Sequence, residues 1–305
     1  MPKRSTKTVI GLAIGLGFVG AAGGLWLSAP NPVEPNSLPP HVANLDNGRV
    51  LYTASGCISC HKPSDEAISA GAVAALPSGG APLVTPVGTL FPPNITPDKQ
   101  TGIGSWSEAN FVSALQRGVS PKGAHYIPAF PYTSYARMSM ADVRDIWAYI
   151  KSLPAVNAPE HGATLPLEPV LRRGIGLWKQ MAIPKPFVAD VSQSIEWNRG
   201  AYLVNGAGHC GECHTPRDIF MIGQASKAFE GGPHPDGTGQ VPSLHNLIAR
   251  KVFEDTADLA TALREGEGGG YEHMSSGGMG EAQTNMSHLP EADVAAIATY
   301  LSSLK

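Results

Sequence analysis

Two short segments set thiols and an imidazole at one fixed spacing: Cys57-Ile58-Ser59-Cys60-His61 and Cys210-Gly211-Glu212-Cys213-His214. Thiols three residues apart share a helical turn and can reach both vinyl groups of a porphyrin, while the adjoining imidazole faces the iron. That is the attachment pattern of c-type haem. Cys57, Cys60, Cys210 and Cys213 are therefore expected to bind two haem c groups covalently, with His61 and His214 as iron ligands. Structural zinc is the first competing reading of paired Cys-x-x-Cys. It would need one site to span motifs displaced by 153 residues. Dithiol redox chemistry is the second, and no thioredoxin-like βαβ pattern accompanies the pairs.

The elements around the motifs repeat as well. Met140 to Ile150 aligns with Glu291 to Leu301 at a displacement of 151 residues, and Ser107 to Gly118 echoes Asp255 to Gly266. Val143, Ile146 and Ile150, like Val294, Ile297 and Leu301, follow i, i+3, i+7, the spacing of an apolar helix face. Pro154 stops the first of these helices. Asn47 to Ala54 and Asn198 to Asn205 read as short helices before each motif, and Val170 to Met181 as a helix within a proline-rich linker. Repetition in one order implies duplication. The expected architecture is all-α: two tandem cytochrome c domains, at 41–155 and 196–305, built of short helices and long loops around covalent haem, joined by a linker at 156–195.

Composition agrees. Charged residues make up 15% of the chain, against about 25% in an ordinary soluble domain, and 35 Gly with 27 Pro favour loops. A net charge of −3 supplies no basic face, which argues against nucleic acid as a partner. At the amino terminus, Lys3, Arg4 and Lys7 precede an apolar run from Thr8 to Ala29. As a helix it would be ~33 Å long, enough for a ~30 Å hydrocarbon core. The expectation is a single-pass transmembrane helix at 1–30 in the inner membrane, with a Pro-rich spacer at 31–40 and the haem domains in the periplasm. A cleaved signal is the competing reading, but Leu27-Ser28-Ala29 matches a small-x-small cleavage site poorly.

Over residues 38 to 305 the sequence resembles the membrane-associated periplasmic dihaem c-type cytochromes, similar to the cytochrome subunits of bacterial alcohol and gluconate dehydrogenases. The resemblance rests on both haem motifs, Pro93-Asn94-Ile95-Thr96-Pro97-Asp98, Thr101-Gly102-Ile103-Gly104, Trp106-Ser107, Tyr126 to Tyr132, and Glu196-Trp197-Asn198-Arg199-Gly200. It implies electron transfer rather than catalysis: single electrons pass from a periplasmic dehydrogenase or other donor to the respiratory chain. The implied partners are that dehydrogenase and a terminal oxidase or quinone-linked complex. It also implies methionine as sixth iron ligand, which closes the site and raises the potential. Met138 is favoured over Met140 for the first haem. Met279, in Gly277-Gly278-Met279-Gly280-Glu281, is favoured for the second, with Met286 and Met274 as alternatives.

The leading alternative function is a dihaem enzyme, of peroxidase or thiosulfate-oxidising type, with one open haem. His125 and His273 are held as reserve ligands, while His41, His161, His234, His245 and His288 are read as facing solvent. His209 is read as supporting the second motif, and Met181 and Met221 as core. Trp106, Trp147, Trp178 and Trp197 are expected against haem edges or between domains. Arg199 and Arg217 are placed either to pair with haem propionates or to stay exposed.

Overall fold

The computed structural model describes residues 23–85, 88–158, 162, 168–235, 237, 239–267 and 278–305, with the side chains of 168–171 outside the description. The chain opens its first half with α1 (Leu45–Ala54), capped by the Asn44 side chain, which accepts from the Asn47 N–H. The motif helix α2 (Cys57–His61) and α3 (Asp65–Ser69) follow. Next comes α4 (Glu108–Arg117), begun by a reciprocal box in which Ser107 and Asn110 cap each other's backbone. Then come α5 (Tyr132–Tyr135) and α6 (Met140–Ser152), the latter capped by Ser139. Leu153 is extended, as a residue before proline must be, and α6 ends there.

A long helix, α7 (Glu168–Ala182), leads to the second half. That half holds α8 (Ile195–Asn205), the motif helix α9 (Gly211–His214), α10 (Thr256–Glu265), α11 (Gly278–Ser287) and α12 (Glu291–Ser302). Two antiparallel ribbons, which the all-α expectation did not include, pair β1 (Leu83–Thr85) with β2 (Gly88–Leu90) and β3 (Gly232–Pro233) with β4 (Gln240–Val241). Their registers set Leu83 opposite Leu90 and Gly232 opposite Val241.

Matched pairs of helices cross in the same way in both halves. α1 packs on α6 through Gly48, where a Cβ would overlap the Asp145 carbonyl; α8 packs on α12 through Gly200, where it would overlap the Ala296 carbonyl. Only glycine permits so close a backbone approach. The expected apolar faces are buried: Val143, Ile146 and Ile150 on α6, and Val294, Ile297 and Leu301 on α12. α4 and α10 each end on a left-handed glycine, Gly118 and Gly266. One hydrophobic core runs through both halves.

The expected inner-membrane location is corrected, because no helix among the described residues is long and apolar enough to cross a membrane. Residues 1–22 of the expected transmembrane helix lie outside the described residues.

Candidate functional site

Each motif is a tight turn set up by a left-handed residue directly before its first cysteine. At the first this is Gly56, with φ 58°, and at the second it is His209, with φ 40°. A side chain is strained in that region; His209 tolerates it while stacking edge-on against Tyr135, ring centroids 6.0 Å apart. His209 thus shapes the turn, as a supporting residue should.

Behind each turn the loops repeat in detail. The Gly79 N–H donates to the His61 carbonyl at 2.7 Å, and the Gly231 N–H to the His214 carbonyl at 2.8 Å. His61 Nδ1 lies 2.7 Å from the Pro93 carbonyl oxygen, and His214 Nδ1 lies 2.8 Å from that of Pro242. A carbonyl only accepts, so Nδ1 must carry the proton in both rings, and in the neutral imidazole the lone pair then sits on Nε2. Burial lowers both imidazole pKa values, opposed by these carbonyl bonds, which favours neutral rings able to bind a metal. Pro93 lay within a recognised segment, but the role of Pro242 was missed. Laying one repeat copy over the other along the loop would have exposed it.

None of the four cysteines is in a disulfide. Burial pushes the Cys57 and Cys210 thiols up to about 12. Burial thus disfavours the thiolate form of both. Among the described residues no cluster of three or more His, Cys, Asp or Glu side chains could hold a metal ion. Paired thiols outside any disulfide, beside a tautomer-locked imidazole, twice over, are the donor set that covalent haem requires, and they fit it.

The methionines divide. Met138 is 1% exposed in the core, its carbonyl accepting from Gln116 Nε2 at 2.8 Å. Met279 and Met286 lie seven residues apart on one face of α11, and both pack on the core. Met274 and His273 lie outside the described residues. Met181 and Met221 are not core; they are 62% and 52% exposed. His125 is no iron ligand, because Nε2 engages the Ser28 carbonyl and Nδ1 engages Lys179 Nζ. His41 and His245 do not simply face solvent: they bond Asp145 at 2.7 Å and the Ala228 carbonyl at 2.7 Å. Arg199 forks onto Asp293 at 2.7 and 3.0 Å, and Arg217 pairs with Glu212 at 2.6 Å, so both guanidinium groups already hold a carboxylate. Trp197 stacks on Tyr300 and Trp147 on Phe111, packing helices together within each half.

Short helices and loops enclosing Cys-x-x-Cys-His turns define a predominantly helical c-type cytochrome. The cytochrome c family model matches residues 45–154. A dihaem cytochrome c of Cereibacter sphaeroides is 38% identical over 291 residues, covering 95% of each chain. The fructose dehydrogenase cytochrome subunit of Gluconobacter japonicus is 34% identical over 90% of this chain, and the gluconate 2-dehydrogenase cytochrome c subunit of Pantoea cypripedii 33% identical over 86%. This chain spans 55% and 60% of the length of those two subunits. The chain belongs to the c-type cytochromes, which bind haem c covalently, and it is an electron-transfer protein rather than an enzyme.

Proposed function

We propose that this chain carries two haem c groups in two tandem units, residues 41–155 and 196–305 joined by 156–195, and passes single electrons from a dehydrogenase to the respiratory chain. Cys57 and Cys60, and Cys210 and Cys213, would hold the haems through thioether bonds. His61 Nε2 and His214 Nε2, with the Met138 and Met279 thioethers, would hold the irons. Haem supplies a reversible one-electron change at iron. The chain fixes each imidazole through a loop carbonyl and keeps water from Met138 by complete burial.

The observation that carries this reading is the repeated imidazole anchor, His61 on Pro93 and His214 on Pro242. A dehydrogenase as donor is supported by the cytochrome subunits of fructose and gluconate dehydrogenases among its relatives. The test is expression in a host able to attach haem c, followed by intact mass and a haem assay per chain. Two haems, reduced by a sugar- or alcohol-oxidising dehydrogenase, are the expected result. One haem per chain overturns the two-unit reading, and reduction by no such dehydrogenase overturns the assigned donor.

A further inference from the structure

Each haem-attachment turn is held from outside by the opposite half of the chain, at the same place in its motif. Ser59 is the second variable residue of the first motif. Its Oγ accepts from Asn285 Nδ2 at 2.9 Å, across 226 positions of sequence. Glu212 holds the equivalent place in the second motif. Its Oε1 accepts from Thr133 Oγ1 at 2.7 Å and Ser134 Oγ at 2.6 Å, on α5 of the first half. Its other oxygen takes Arg217. Burial raises the Glu212 pKa, but Arg217, Ser134 and Thr133 outweigh it and hold the carboxylate ionised.

The surroundings are two-faced in the same sense. On α11, Met279, Gln283 and Met286 share one side, and Gln283 bonds the Arg264 carbonyl of α10. Glu281 and Asn285 lie on the opposite side, against Lys62 at 2.8 Å and Ser59 of the first motif. The segments leading into the motifs also meet: the Tyr135 hydroxyl donates to the Ser55 carbonyl at 3.0 Å while its ring packs on His209. Gly206, four residues before Cys210, lies against Met138 Cγ. Tyr202 of α8 accepts from the Ser139 N–H at 2.9 Å and donates to Asp142 of α6.

We propose that Ser59 and Glu212 are inter-unit positioning residues: each ties the attachment turn of one haem to the other half, so that the two haems form one fixed pair exchanging electrons directly. This rests on the two-haem reading above. Covalent attachment makes it follow mechanically, since a macrocycle bonded to the turn moves with the turn. Tunnelling falls steeply with distance, so the pair's separation and orientation set the exchange rate. These part-buried hydrogen bonds each contribute modestly to stability, whereas a small misplacement of reacting centres costs rate heavily.

The test uses the full haem-loaded chain and two variants, Ser59→Ala and the double Thr133→Val/Ser134→Ala, with Glu212→Gln as the conservative control that still accepts both hydroxyls. Haem content, the two midpoint potentials and inter-haem exchange after flash photoreduction are measured. Both variants should keep two haems while exchange slows about tenfold or more, and Glu212→Gln should stay near the wild-type rate. Wild-type exchange in both variants overturns the proposal, whether or not their thermal stability falls. If the wild type itself holds one haem, it is the two-haem reading that fails, and the proposal falls with it.

Discussion

Gly200 faces the Ala296 carbonyl oxygen with no room for a methyl group between them. Gly200→Ala should force α8 off α12 and destabilise the chain by about 1–3 kcal/mol, the usual penalty of overpacking. Gly174 on α7 has open space where its Cβ would stand, so Gly174→Ala should be neutral or stabilise by about 0.5–1 kcal/mol. Denaturant unfolding of both variants beside the wild type checks the pair, and equal effects of the two would refute the crossing argument.

Asp145, buried on α6, is a hub. Burial alone would raise its pKa, but the Asn44 N–H, the Asn47 amide and His41 outweigh that and hold it below the usual carboxylate value. A depressed carboxylate stabilises the fold above its unfolded pKa of about 3.9, and that stabilisation is lost as pH falls through the folded value. Asp145→Asn should cost about 1.5–3 kcal/mol at pH 7, the range of hydrogen bonds to a charged group. The gap from wild type should shrink below about pH 4, which acid-unfolding curves would register.

Lys179 is the opposite case. Its ammonium, 7% exposed, donates to the Arg117 and Gly118 carbonyls and to His125 Nδ1, and lies 4.7 Å from the Tyr132 ring centroid. Burial pushes its pKa down to about 7. An unfolded lysine titrates near 10.4, so between those values the unfolded chain binds more protons and stability rises with pH, by at most about 1.4 kcal/mol per unit. Stability measured at pH 7 and 9 should increase in the wild type, and Lys179→Met should abolish that increase.

Replacement of a sixth ligand should open its iron. Met138→Ala and Met279→Ala are each expected to let the reduced protein bind carbon monoxide at one haem and to lower one midpoint potential, since methionine ligation raises it. If Met286→Ala does this and Met279→Ala does not, the ligand is the other methionine on that face of α11. Carbon monoxide difference spectra with a potentiometric titration decide between them.

The motif turns, the helices that end each half and the apolar faces of α6 and α12 were legible because they are local: spacing, periodicity and a stopping proline carry them. Asn47 to Ala54 and Asn198 to Asn205 were also legible as short helices before each motif, though not the carbonyls against which Gly48 and Gly200 pack. What escaped was set by tertiary placement. Nothing near Ser59 announces Asn285, and nothing near Arg199 announces that Asp293 takes the place assigned to a propionate. Met181 and Met221 were read as core by residue type, yet both stand in solvent. The apolar stretch at the amino terminus suggested a span that no described helix provides.

The imidazole anchors have a consequence for speed. A ring whose Nδ1–H is bonded to the carbonyl of a proline, on a loop that proline itself stiffens, has little freedom to tilt, and would keep its orientation if the iron proposed for it gained or lost charge. Under the haem ligation proposed above, the nuclear rearrangement accompanying each oxidation and reduction would be correspondingly small, and charge would move on a modest driving force.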